Sequence, residues 1–308
     1  MKSHFIAPIA LAIALAGCQS NDISEPSTQI AQEQTITQAN PFFGEFDTPH
    51  GMPPFAKIQK THYLPAFYHG IEENRKEIEA IANNTAAPSF ENTIEAMEKS
   101  GDFLDRVSNV FYGLTGSMSD VEMRAIAKEI SPKLSALSDD ISLNANLFER
   151  VKAVYQQKDS LNLRADQQTL LEKTYKGFVR GGANLSEPDK NKLRELNEKL
   201  SKLSLKFGEN LLSETNNFEM VIDNKADLDG LPSDIIAAAA ETAKNRGHEG
   251  KWVFTTHRPS KNPFLTYSTN RKLRETIYKG YTMRGNNDNE FDNQTIASEM
   301  ASLRYKRA

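Results

Sequence analysis

Apolar residues recur at helical spacing through most of this chain. Between positions 64 and 82 they fall on one helical face, with charged residues on the others. The clearest periodicity is a leucine seam, spaced 3, 4, 3 and 4, at Leu193, Leu196, Leu200, Leu203 and Phe207. This seam predicts a long helix with a narrow apolar stripe, typical of an internal helical hairpin.

Several further helices follow from periodicity and from capping signals. One is predicted from Ser89 to about Phe111, and the spacing of Ser119 and Glu122 indicates a capping box that opens another. Pro132 is expected to end or kink that helix. Positions 164–179 predict a further helix, and Ser186 with Pro188 predicts the start of the leucine-seam helix.

Strand composition is confined to segments 218–222 and 251–256, which an alanine-rich helix separates. The sequence therefore predicts a mainly α fold with a small β element. A final helix pair is expected at 270–283 and 292–308. The last helix keeps its apolar face up to Ala308, without a glycine or proline stop, so we expect the helix to be cut there.

Composition narrows the class of protein. The 308 residues are 38% hydrophobic and 25% charged, as in an ordinary soluble protein. The formal net charge of −4 argues against a nucleic-acid partner, whose phosphates require a basic surface. The single cysteine excludes an intramolecular disulfide.

The N-terminus has the pattern of a secretory signal. Lys2 and His4 precede an apolar run over 5–16, which is too short to span a bilayer as a helix. Residues 15–18 (Leu-Ala-Gly-Cys) resemble the lipobox of bacterial lipoproteins, which predicts a signal peptide over 1–17 and lipidation of Cys18. The alternative is a plain secretory signal with an incidental cysteine.

The lipobox resemblance implies a membrane anchor and a place in the bacterial cell envelope. Gln19 follows the cysteine, which favours the outer membrane, facing the periplasm. Residues 18–39 are polar and lack aromatic residues, so they are expected to form a flexible tether. Residues 40–308 then form the folded lobe.

Few residues show the spacing of a catalytic or metal site. His248-Glu249 begins like a zinc-peptidase helix, but Trp252 takes the second ligand position and neighbouring glycines favour a surface turn. His62 and His69 are seven residues apart, too far for one metal without other ligands. An acidic run (Asp288, Glu290, Asp292) is interpreted as a solvated loop, and a basic run (Arg271, Lys272, Arg274, Lys279, Arg284) as a solvated helix surface.

Longer stretches resemble the thimet oligopeptidase family of zinc metallopeptidases, in particular bacterial peptidyl-dipeptidases. The matching stretches are NPFFGEF at 40–46, PPFAKI at 53–58, THYLPAF at 61–67, PSFENTIEAMEKSG at 88–101, RVSNVFYGLTG at 106–116, the run FVRGGANLSEPDKNK to LL at 178–212, GKWVF at 250–254 and TNRKLRETIY at 269–278. They cover about residues 40–308 in order.

The resemblance implies that residues 40–308 form the N-terminal helical lobe of a two-lobed channel peptidase, truncated at its C-terminal end. It implies short peptides as substrates, release of C-terminal dipeptides, and a zinc ion held by a His-Glu-x-x-His helix and a further Glu. No position here matches those residues. We therefore expect no catalytic residue, no bound zinc and no cleavage from this chain alone, and the substrate-binding residues stay unknown.

Two functional hypotheses remain open. The first is an envelope-anchored peptidase whose zinc-binding half is missing from this sequence. The second is a lipid-anchored helical module that binds peptides or has a structural role without catalysis. The uncapped end at Ala308 favours the first hypothesis. In either case a monomer is expected.

Overall fold

Ten α-helices of ten residues or more and one two-stranded sheet occur in residues 40–116 and 118–308, the part of the chain that the computed structural model describes. The helices are α1 (Tyr63–Ala82), α2 (Asp102–Thr115), α3 (Val121–Ser142), α4 (Ala145–Gln156), α5 (Ala165–Arg180), α6 (Glu187–Asn217), α7 (Ser233–Asn245), α8 (Arg258–Tyr267), α9 (Arg271–Thr282) and α10 (Gln294–Arg307). The predicted mainly α class is confirmed.

The small β element is an antiparallel pair of three-residue strands, β1 (Met220–Ile222) and β2 (Trp252–Phe254). The register pairs Met220 with Phe254 and Ile222 with Trp252. Both strands lie inside the two segments predicted from composition. Phe254, Phe264 and Ile277 are fully buried beneath them, so the sheet, α8 and α9 share one core.

The N-terminal segment packs with α1, α2 and α3 around an aromatic core. Phe67 meets Phe111 edge to face with ring centroids 5.3 Å apart, and Tyr63 meets the same ring at 5.0 Å. Phe42 is completely buried against them, and its carbonyl accepts a bond of 2.9 Å from Arg106. The N-terminal half of the predicted apolar face of α1, including Phe67 and Ile71, thus forms part of this core.

A second core joins α1 to α4 and α5 through a tight turn. The turn begins at Ser89, whose hydroxyl accepts from the Asn92 amide, and a π-helical turn (Phe90–Glu95) follows. Arg150 of α4 is buried beneath it and donates to the Asn84 and Ala86 carbonyls at 2.7 and 3.0 Å. It also donates to the Asn92 side chain at 2.9 Å. One buried guanidinium therefore fixes the whole turn.

The long helix α6 packs against α3 on one side and α10 on the other. Leu200 is buried against Met300 and Leu303 of α10, as the leucine seam predicts for an internal helical packing. On the α3 side the contacts are polar: Asp140 accepts from Arg194 at 2.8 Å and also pairs with Arg75 of α1 at 2.6 Å. A single carboxylate therefore joins three helices.

The structure departs from the predicted helices at three places. The helix expected over 89–111 is broken at Gly101, whose φ is +83° and whose amide donates to Glu77. Pro132 lies within α3 and does not end it. The cap of α3 is Asp120, one residue after the predicted Ser119, because the Asp120 carboxylate accepts from the Met123 amide at 3.0 Å.

A helix was also missed: α8 contains Pro259 and Pro263, which hide its pattern from propensity arguments. The first proline falls in the opening turn, where no backbone hydrogen-bond donor is needed. Within residues 40–116 and 118–308 no helix combines the length and the apolar character needed to cross a bilayer.

Replacing Arg150 by alanine is expected to destabilise the fold by about 2–3 kcal/mol, because two carbonyls and the Asn92 side chain lose a partly buried donor. The measurement is the urea unfolding midpoint. Arg164→Ala is the control, since Arg164 makes only exposed contacts and should leave the midpoint unchanged. Equal midpoints for both variants would contradict this role of Arg150.

Burial raises the pKa of Asp139 on α3, against the opposing effects of an Asn197 hydrogen bond and of Arg194. The folded state therefore keeps this proton to higher pH than the unfolded state, and stability falls as pH rises above the ordinary value near 3.8. We expect Asp139→Asn to gain stability relative to the wild type across that rise. Denaturant unfolding at a series of pH values measures it; a difference that is constant with pH would refute the assignment.

Candidate functional site

A cleft of about 570 Å³ opens between α2, α3 and α6. Its walls are the C-terminal end of α2, the first turns of α3 and positions 204–216 of α6. His257, the residue before α8, also lines it. The cleft therefore draws on four separate parts of the chain.

The backbone of α6 is open to this cleft at Gly208. A Cβ atom built there would meet nothing within 4 Å, so no neighbouring side chain explains the glycine. Glycine inside a helix costs about 1 kcal/mol relative to alanine. Gly116 lines the same cleft and is also uncrowded, with a single atom at 3.8 Å. Together they leave room for another molecule to approach the helix backbone closely.

Opposite charges line the cleft without neutralising each other. Arg124 of α3 and Glu209 of α6 both face it, and neither forms an ion pair within 4.0 Å among the residues described. His257 places Nδ1 3.1 Å from the Thr255 hydroxyl, which leaves Nε2 as the ring nitrogen free for the cleft. The cleft can thus accept both a negative and a positive group of a ligand.

Tyr112 forms an aromatic edge to the cleft and is 42% exposed. Its ring is held edge to face on Phe111 at 5.1 Å, and its hydroxyl lies 3.3 Å from the Ser131 hydroxyl. Hydroxyl and amide groups are added to the lining of the cleft by Thr115, Ser119, Ser204 and Asn216. This mixture suits an extended polar chain with occasional apolar side chains.

The histidines considered from sequence lie apart from one another. His62 precedes α1, its Nδ1 accepts from the Gln59 amide at 3.0 Å, and burial lowers its pKa. His69 lies between the rings of Phe43 and Phe103, each at 4.9 Å. His248 sits in a turn, as predicted, with Nε2 3.0 Å from Glu219.

The acidic and basic runs also have their places. The acidic run lies in the loop between α9 and α10, where Asp292 accepts from the Asp288 and Gln294 amides. In the basic run, Lys279 pairs with Glu275 on the surface and Arg284 lies 4.0 Å from the centroid of the Tyr281 ring. Among residues 40–116 and 118–308, no three histidine, cysteine, aspartate or glutamate side chains are grouped so as to hold a metal ion.

Sequence reasoning missed the buried carboxylate of Glu214 on α6. It accepts from the side chains of Asn287 and Asn289 at 2.9 and 2.7 Å and from the Gly285 amide, and so holds the α9–α10 loop. The asparagine-rich loop was visible in the sequence. Its partner was not, because it lies more than 70 residues earlier.

Curated peptidases match most of this chain, although no family model does. Dipeptidyl carboxypeptidase of Escherichia coli is 35% identical over 274 residues, which is 89% of this chain and 40% of that protein. Oligopeptidase A of Haemophilus influenzae is 30% identical over 264 residues, 84% of this chain and 38% of that protein. A protein of Arabidopsis thaliana named "Probable cytosolic oligopeptidase A" is 29% identical over 289 residues, 91% of this chain and 40% of that protein.

The chain belongs to the thimet oligopeptidase family. It corresponds to an N-terminal portion of that family and spans about 40% of the length of these relatives. The resemblance inferred from sequence is thereby confirmed. The relatives are peptidases by name.

The prediction of a lipid-anchored place in the bacterial cell envelope is wrong by this comparison. Relatives of this family that carry a compartment in their names are cytosolic or organellar peptidases. Residues 1–39 lie outside the part of the chain that the structure describes. The signal peptide over 1–17, the tether over 18–39 and the lipidation of Cys18 therefore stay predictions.

Replacing Gly208 by alanine is expected to stabilise the fold by about 0.5–1 kcal/mol, because the new methyl group meets no atom within 4 Å. Gly182→Ala is the matched control. It should destabilise the fold, since φ is +99° there and a Cβ would lie 2.7 Å from the Leu193 side chain. Urea unfolding measures both; a destabilised Gly208→Ala would show that the cleft wall is closed.

Proposed function

We propose that this chain forms the substrate-contacting lobe of a peptidase that acts on short peptides, and that the cleft between α2, α3 and α6 receives the peptide. The observation that carries the proposal is the 35% identity to a dipeptidyl carboxypeptidase over 89% of the chain. Release of C-terminal dipeptides is the finer form of the proposal. It rests on the name of that relative.

Zinc enters the proposal through the family resemblance alone. The residues described do not fit a zinc site, because they offer no group of three side chains that could ligate the ion. We therefore assign no step of peptide hydrolysis to them. The role proposed for this chain is binding and orientation, with no cleavage by the 308-residue chain alone.

The charges of the cleft suggest how a peptide is held. A short peptide carries a positive amino end and a negative carboxyl end, and the cleft offers Glu209 and Arg124 without other ion-pair partners. Next to Glu209 on α6, the open backbone at Gly208 allows close approach of an extended main chain. Ser204 and Asn216 supply hydrogen-bonding groups along the same face of α6.

A pentapeptide with free ends is expected to bind the 308-residue chain, with affinity measured by isothermal titration calorimetry. Amidation of its carboxyl end should weaken binding to the wild type about tenfold, because the ion pair with Arg124 is lost. In Arg124→Gln that ion pair is already absent, so amidation should have no effect. Acetylation of its amino end should behave likewise with Glu209→Gln. Lys173→Gln, an exposed lysine on α5, is the control and should respond as the wild type does.

Mass spectrometry of the same mixtures, with and without added zinc, tests the second half of the proposal. We expect the peptide to be recovered intact. Cleavage of the peptide would overturn the proposal that this chain binds peptides without cleaving them. Absence of peptide binding in calorimetry would overturn the proposal that the cleft is the peptide site. Binding without cleavage also fits the non-catalytic module, and activity after joining this chain to the rest of a family member separates the two.

A further inference from the structure

A second and more polar pocket lies where α3, α6 and α10 meet, with a volume of about 370 Å³. Two guanidinium groups, Arg304 and Arg307, enter it from α10. Four serine hydroxyls line it, from Ser135 and Ser138 of α3 and Ser201 and Ser204 of α6. Its composition differs from that of the peptide cleft, which carries an aromatic edge and charges of both signs.

The charge of Arg307 reaches Asp139, which also lines the pocket, and opposes the rise in the pKa of that carboxyl. In the described part of the chain, however, neither arginine forms an ion pair within 4.0 Å, although several charged residues on α6 do. Lys202 of α6, for example, is paired with Glu198, and Arg194 with Asp140. Two adjacent unpaired guanidiniums repel each other, and an anion between them would remove that repulsion.

The pocket also contains an arrangement that orients one arginine. The Asn197 side chain donates to Asp139 at 2.7 Å, and its oxygen faces Arg307 Nη1 at 3.4 Å. Because the nitrogen of this amide donates to Asp139, its oxygen is the atom that can accept from Arg307. Asp139 is 7% exposed and also lines the pocket, and the Asn197 amide bridges it to Arg307.

Guanidinium groups and hydroxyls together match the oxygen atoms of a small oxyanion. Arginine donates in a planar fork that suits carboxylate and phosphate, and serine hydroxyls donate to the remaining oxygens. Within the described residues none of the four serine hydroxyls forms a hydrogen bond, so each can turn towards a ligand. We propose that this pocket binds a small oxyanion of the phosphate or carboxylate class between Arg304, Arg307 and the serine hydroxyls.

The oxyanion has two conceivable sources, and they share this chemistry. One is a free inorganic ion. The other is the terminal carboxylate of a peptide, because Ser204 lines both the pocket and the peptide cleft. The proposal concerns the pocket itself and does not depend on peptide binding in the cleft.

Titration of the 308-residue chain with inorganic phosphate at constant ionic strength tests the proposal, read out by calorimetry and by the thermal unfolding midpoint. We expect saturable binding that chloride does not reproduce. Arg304→Gln and Arg307→Gln should each weaken it at least tenfold. Lys306→Gln removes the same charge from the same turn but does not line the pocket, and it should bind as the wild type does.

Asp139→Asn supplies a test of opposite sign. Removing this carboxylate should strengthen phosphate binding several-fold, since it takes a negative charge from the pocket and keeps the contact to Asn197. A purely structural role for Arg304 and Arg307 would not produce that gain. Unchanged binding in both arginine variants, equal losses in Lys306→Gln, or absence of saturable binding would each overturn the proposal.

Competition then identifies the source. A peptide with a free carboxyl end that displaces phosphate, where its amide does not, assigns the pocket to a peptide carboxylate. Phosphate binding that neither peptide disturbs assigns it to a free ion. Gly208→Phe, which fills the cleft, should leave phosphate binding unchanged, so failure of the cleft proposal and failure of this one are distinguishable.

Discussion

Buried polar contacts along one helix, α6, set the register on which the rest of the lobe depends. The leucine seam of α6 is only partly buried, and an apolar stripe with spacings of 3 and 4 can slide by a turn with little loss. The hydrogen bonds of α6 do not tolerate such a slide. They join Asn197 to Asp139, Asn210 to Asn293, and Glu214 to the α9–α10 loop. A shift of one residue turns the helix by about 100° and breaks all of these contacts at once.

Fixing α6 in this way places two sites on its surface. The helix spans 31 residues, so one rigid element reaches from the oxyanion pocket near Asn197 to the far end of the cleft at Asn216. One charge of α6 is tied to α3 by the ion pair of Arg194 with Asp140. In the cleft, Glu209 and Arg124 form no ion pair among the described residues. Arg194 thus helps to join the two helices, whereas the charges of the cleft are left for a ligand.

The local fold follows from the sequence wherever the signal is local. Caps such as Ser186, and apolar faces such as that of α1, appear in the structure where they are predicted. Errors arise where a distant residue decides: Glu77 receives the Gly101 amide and interrupts a helix, and Glu214 organises a loop more than 70 residues away. The cleft could not be predicted, because its walls come from four parts of the chain that periodicity describes one at a time.

The residues that carry the family resemblance have two roles: some fix the backbone, and others line the cleft. In the stretch 88–101, Ser89 and Asn92 cap the turn that Arg150 fixes, and in 178–212, Gly182 has no room for a side chain. These positions fix the backbone conformation, and they carry the family resemblance without taking part in a proposed reaction. The stretches 106–116 and 178–212 also supply two walls of the cleft, including Tyr112 and Gly208.

Arg124 and His257, by contrast, lie outside every stretch that carries the resemblance. Glu209, the other charged residue of the cleft, lies inside the stretch 178–212. If peptides bind in this cleft, the open backbone at Gly208 and the carboxylate of Glu209 come from a segment that resembles the family. Arg124 and His257 then add a guanidinium and an imidazole from segments that do not carry that resemblance, so the names of relatives inform the reaction class better than the peptide that is chosen.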